Sequence, residues 1–239
     1  MMSEPYFRGY GFNRFSGVIL YLILGNFVVF FFQLIASGFI NNWFSLIPAR
    51  VILRIELWRI FSYMFLHGDF AHIFFSMLAL FFFGPALERT LGKKKFLFLY
   101  FLCGVLAGVI SGFFYFLLGE LEARIIGASG AIFGILAGYA LYFPNSRVYL
   151  NFILPIKAKW MVLIFAGIEL VATFNYAGGG RSGIASIAHL SGMVIAYFYL
   201  RRFSDLKRLW LKYKYRKLEK LRKQKFKVYS GNDQNPTLH

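Results

Sequence analysis

The 239-residue sequence predicts an all-α membrane protein: six transmembrane helices in one bundle, with both termini cytoplasmic. Three observations predict it. Apolar residues make up 59% of the chain and mean hydropathy is +0.59, more than a soluble domain of this length needs. They gather in six windows, about 17–36, 70–87, 96–117, 127–144, 160–177 and 183–200, each near the length that crosses a bilayer. Basic residues lie mostly between windows on one side.

The first window follows a short segment, 1–16, holding Arg8 and Arg14. It is too long for a signal-peptide core, and Leu34-Ile35-Ala36 is a poor cleavage site, so an uncleaved span is expected. The connection 37–69 carries Trp43, Pro48, Trp58 and Arg59 among apolar residues, which suits a loop lying on the membrane. Arg8, Arg14, Arg89, Lys93–Lys95, Arg147, Lys157, Lys159 and the tail fall on one side of a six-span chain. Arg50, Arg54, Arg59, Arg124 and Arg181 fall on the other, so the richer side is cytoplasmic.

The tail, 201–239, explains most of the net charge of +17. Residues 201–228 hold thirteen Lys and Arg against Asp205 and Glu219, interleaved with Trp210, Tyr213, Tyr215, Leu218 and Leu221. A basic, aromatic segment directly after a span suits anionic lipid at the inner surface, not nucleic acid. The final "SGNDQNPTLH" is expected to be disordered. The single cysteine, Cys103, allows no intrachain disulfide, and no cofactor or metal is expected. No internal repeat is visible, which argues against a transporter built on one.

Polar groups at membrane depth need a reason. Ser129 stands two to five residues inside the fourth span, within "IIGASGAIFGILAGYALYF", and His189 about six residues into the sixth. Both spans start from the outer side, so both residues sit at similar shallow depth. The second span also starts there, with "LHGDFAHIFFS". It holds His67, His72 and Ser76, and the last two share a helix face. Gly130, Gly134 and Gly138 on span four, with Gly192 and Ala196 on span six, let those helices pack backbone to backbone.

That approach puts a serine hydroxyl near an imidazole, the pair that nucleophilic acyl transfer uses. Ser129 near a helix N-terminus has free backbone N–H groups for an oxyanion, Gly127 and Gly130 let the backbone bend, and His72 and Ser76 can add donors. Phe133, one turn below Ser129, can stack on the imidazole. None of the ten Asp and Glu is expected near His189, so the pair reads as a dyad. Glu169, about ten residues into span five, reads as a structural glutamate between helices. Packing alone also explains a serine among glycines, and a hydrogen-bonded core role explains a lone histidine. Trp58 reads most simply as an interfacial anchor. A proton relay through His67, His72, Glu169 and His189 is a further reading; it would not need Ser129.

Together these residues resemble the rhomboid family of intramembrane serine proteases. The matching pieces are Trp58-Arg59, His67 and His72 in H-x-x-x-x-H, and Gly84-x-x-x-Glu88-x-x-x-Gly92. They continue with Gly127-Ala128-Ser129-Gly130 and Ala188-His189-x-x-Gly192. They cover about 55–200, within a core of 17–200. The resemblance implies that Ser129 is the nucleophile, His189 the general base and His72 an oxyanion donor. It implies a water-filled cavity open to the outer side under a glycine-rich lid, 176–184. It implies cleavage of single-span membrane proteins near the outer end of their helix, in a bacterial cell membrane. Two residues depart from the family pattern: Ser76 stands where Asn is usual, and Phe133 where Tyr is frequent. The alternative is a non-catalytic relative that binds membrane clients; such relatives typically lack the serine or the histidine.

Overall fold

The structure is a computed structural model that describes residues 17–150, 154–177 and 185–202, with helical positions at 214–215, 218–219 and 221. It falls into two units, 1–197 and 198–239. The expectations for 1–16, for 178–184 of the lid and for most of the tail lie outside the described residues. In the second unit the described residues are helical.

In the first unit, α1 (Gly17–Ile35) buries Ile19, Leu22, Asn26, Phe30 and Gln33, a single face at spacings of three and four. The connection that follows is built of short pieces: α2 (Ser37–Phe44), α3 (Pro48–Leu53), α4 (Arg59–Ser62) and a 3-10 turn, Tyr63–Phe65. Buried polar groups hold it. Arg59, with no exposed surface, reaches the Ser45 carbonyl at 2.7 Å and pairs with Glu56. Trp58 Nε1 donates to the Trp43 carbonyl at 3.0 Å while its ring stays half-exposed.

Next come α5 (Phe70–Leu91), α6 (Lys93–Leu117) and α7 (Ser129–Tyr142). α5 runs four residues past the expected 87, so Glu88 lies inside it along with Gly84. Gly92, at φ +81°, ends it with its N–H on the Glu88 carbonyl at 2.7 Å. A Cβ on Gly84 would lie 3.0 Å from Ile19, so that glycine sets the approach of α1. α6 offers Gly104 and Gly108 to Met64 and Tyr63, and Tyr63 donates to the Gly104 carbonyl at 2.6 Å.

The chain then departs from the expected all-α class. β1 (Arg147–Leu150) and β2 (Leu154–Lys157) form an antiparallel pair in register Arg147↔Lys157 and Val148↔Ile156. The segment alternates β-formers over too short a length to cross a membrane, and Pro144 and Pro155 bar a helix through it. α8 (Ala158–Ala177) follows, and residues 186–197 form a last helix of this unit, α9. The fold is therefore mostly helical. Among the described residues, four helices are long and apolar enough to cross a membrane: α1, α5, α6 and α8.

α7 has only 14 residues, not the 18 expected over 127–144. At about 1.5 Å per residue it rises some 21 Å, short of the ~30 Å of a hydrocarbon core. The non-helical chain before it must satisfy its own backbone. Leu46 and Ile125 exchange both hydrogen bonds at 3.0 and 2.9 Å, and the Gly127 N–H donates to the Tyr63 carbonyl at 2.9 Å. The short-helix connection thus forms the wall against which 121–128 descends to the start of α7.

Candidate active site

Ser129 is the first residue of α7, closer to the helix start than expected, and only 8% exposed. It follows Gly127, whose φ of +118° disfavours any side chain. A Cβ at Gly127 would also lie 2.9 Å from His72 Cε1 and Nε2 and 3.6 Å from Ser129 Oγ. The His72 imidazole and the Ser129 hydroxyl therefore border one methyl-sized space.

His72 is held by the start of α5. The Asp69 carboxylate caps the helix, accepting the His72 backbone N–H at 2.7 Å. The Gly68 N–H approaches His72 Nδ1 at 3.4 Å. A donor at Nδ1 leaves the ring proton on Nε2, the nitrogen that faces the space beside Ser129. Ser76, one turn on, is buried in α5. His67, fully buried, sits edge-on to His72 with ring centroids 5.1 Å apart.

The backbone around His67 is clamped by Gln33 of α1. The Gln33 amide donates to the His67 carbonyl at 2.7 Å and its oxygen accepts the His67 N–H at 3.0 Å. Sequence reasoning passed over Gln33; a carboxamide near the outer end of an apolar span was the available signal. Among the described residues the imidazole makes no well-aligned hydrogen bond, the Phe65 backbone being its nearest acceptor, and burial, with His72 beside it, pushes its pKa down to about 4.

His189 lies in the first turn of α9, with its N–H on the Ala185 carbonyl at 3.1 Å. α7 and α9 meet through glycines: a Cβ on Gly192 would fall on the Gly130 carbonyl, and one on Gly134 would lie 3.1 Å from the Gly192 oxygen. Phe133, on the Ser129 face of α7, stacks on His189 with centroids 4.2 Å apart and planes 6° from parallel. Among the described residues, Nε2 of His189 is buried without a hydrogen-bond partner. The bond between a serine and its base is often long in unliganded sites and tightens with substrate.

One expectation is overturned. A carboxylate does lie at His189: Glu169 Oε1 of α8 is 2.8 Å from Nδ1, with both side chains largely buried. The Ser186 hydroxyl faces the same carboxylate. Chain direction hid it. α8 runs towards the end from which α9 starts, so depth must be counted back from Ala177; Glu169 is then eight residues, about 12 Å, below that end. Among the described residues, no group of three or more His, Cys, Asp or Glu could hold a metal.

This arrangement can polarise a hydroxyl, accept its proton and meet a developing oxyanion with donors. Residues 54–205 match the Rhomboid domain, a segment that contains every residue of the site described above except Gln33. The chain is 33% identical over 140 residues to the putative rhomboid protease YdcA of Bacillus subtilis, covering 58% of this chain and 63% of that protein. It is 29% identical over 195 residues to the rhomboid protease AarA of Providencia stuartii, covering 74% and 68%. It is 30% identical over 185 residues to the rhomboid protease GluP of Bacillus subtilis, covering 74% of this chain but 33% of the relative.

Proposed function

The chain belongs to the rhomboid family of multi-span helical membrane proteins, and on that premise we propose that it is an intramembrane serine endopeptidase. The observation that carries the reading is that Ser129 and His72 border one space at the buried start of a short helix, while His189, its Nε2 unbonded among the described residues, stacks on Phe133 one turn along the same helix. Ser129 Oγ attacks a substrate carbonyl carbon while His189 Nε2 takes the hydroxyl proton. The oxyanion meets the His72 Nε2–H and the free N–H groups at the start of α7. His189 returns the proton to the leaving amine, the C–N bond breaks, and water hydrolyses the acyl-enzyme by the same path.

The substrates are single-span membrane proteins whose helix opens near the outer face, because only an extended peptide bond can reach a hydroxyl so placed. Gly127 and Gly130 shape the oxyanion site. His67 supports His72, and Ser76 lines the site one turn below it. The reading includes six spans in 17–200 from the apolar windows, cytoplasmic termini from the Lys and Arg asymmetry, a cell-membrane location from the family, and a tail from 201 that contacts anionic lipid.

The test is cleavage of a tagged single-span substrate in proteoliposomes. Ser129→Ala and His189→Ala should each lower the rate by about 10⁴-fold or more. Cleavage that survives Ser129→Ala would return the serine to packing and bring client binding forward.

A further inference from the structure

The proposed protease reading gives no role to one group at the site, the Glu169 carboxylate. We infer that Glu169 is a positioning residue, accepting the Nδ1–H of His189 so that Nε2 faces Ser129 unprotonated and the site works as a triad.

The geometry points this way from both ends of the imidazole. A carboxylate offers only acceptors, so a 2.8 Å contact places the ring proton on Nδ1. The other nitrogen, Nε2, is buried and unbonded, as a base awaiting the serine proton must be. Rotation is blocked as well. Phe133 lies parallel on the ring from α7, so the imidazole can turn only within its own plane, and Glu169 fixes that angle. When Nε2 takes the serine proton, the imidazolium forms against a carboxylate already in place. Among the described residues, the titratable groups facing His189 are Glu169 from α8 and His72 from α5; α7 contributes the uncharged Phe133.

A purely structural tie between α8 and α9 would not need this tautomer, and that separates the two roles. The experiment uses the full chain in proteoliposomes with the tagged substrate, and ¹⁵N-histidine spectra of the same protein in detergent. Glu169→Ala should lower kcat by about 10²- to 10⁴-fold with KM unchanged. Glu169→Gln, whose carboxamide oxygen still accepts a hydrogen bond, should lose less, about tenfold. The His189 Nδ1–H resonance should be present in the native protein and in Glu169→Gln, and absent in Glu169→Ala. Native kcat in both variants would overturn the inference. So would an unchanged His189 resonance in Glu169→Ala with only a lowered unfolding temperature. Ser129→Ala in the same assay keeps the two ideas apart: if it still cleaves, the protease reading fails; if it is dead while Glu169→Ala is fully active, only the triad fails.

Discussion

α7 and α8 both carry a residue of the site, yet they are held in opposite ways. α7 buries ten of its 14 residues and touches α9 glycine to glycine. α8 buries only Ala158 and Met161 of its 20, at the end beside the hairpin, and leaves Leu163, Ile164, Ile168, Val171 and Phe174 exposed. The serine and the imidazole therefore ride on a pair of helices whose spacing is fixed by backbone contact. The carboxylate rides on a helix held mainly by side-chain edges, such as Phe165 against Phe133 and Tyr176 against Tyr115. The spacing of α7 and α9 is a matter of sterics, whereas the placement of Glu169 leans on the contact it makes with His189.

The hardest blow to the tight side is Gly192→Ala. Its methyl group would fall on the Gly130 carbonyl, where only helix separation gives relief. Overpacking of this kind costs about 1–3 kcal/mol, and a shift near 1 Å between reacting groups costs about 10²-fold in rate. Cleavage should fall by about that factor and the unfolding temperature should drop. A variant that keeps native rate would show that glycine contact does not set the α7–α9 spacing.

The next effect sits behind His72. His67 is buried neutral, with its pKa lowered to about 4, while the unfolded chain titrates at the ordinary 6.5. Between those values the unfolded state binds the extra proton, so stability is full above pH 6.5 and is lost as pH falls towards 4. The whole shift is worth on the order of 3 kcal/mol. Thermal unfolding followed from pH 7 to 4 should show the loss, and His67→Phe, which has nothing to protonate, should flatten it. Equal slopes in both proteins would remove His67 as the cause.

Much of the tight side was legible. Ser129, His72 and His189 announce themselves as polar residues in apolar windows, and Gly130, Gly134 and Gly192 announce the contact between their helices. The Phe133 stack follows from helical spacing. What stayed hidden needed direction or tertiary pairing. Glu169 lies deep when measured from the start of its span and near His189 only when measured from the end. The hairpin at 147–157 is too short and too mixed to read as strands. The wall made by Leu46 and Tyr63 is a backbone pairing between segments roughly eighty and sixty-five residues from their partners, and no periodicity encodes it. The apolar window begins at 127, but φ at Gly127 and the turn through Ala128 delay the start of α7 to Ser129.

A smaller effect on the tight side comes from Ser76→Asn. The site lies on α5, one turn from His72, where a carboxamide reaches further than a hydroxyl. Losing an oxyanion donor costs other hydrolases about 10²- to 10³-fold; restoring one beside the existing His72 donor should give about a tenfold gain in kcat, with KM unchanged. A flat result would mean that His72 and the α7 backbone already complete the oxyanion site.

The smallest effect completes the contrast. Gly167 lies in the middle of α8, two residues before Glu169, and a Cβ there would meet nothing within 4 Å. The same glycine-to-alanine change that should disable α9 should here be harmless. Helix propensity favours alanine by about 1 kcal/mol at most, so Gly167→Ala should leave the unfolding temperature equal or slightly raised and cleavage within about twofold of native. Loss of activity in this variant would mean that α8 must bend or unwind near Gly167 during turnover. Stiffening would then matter where packing does not, and the loose side of the molecule would owe its looseness to function rather than to want of contacts.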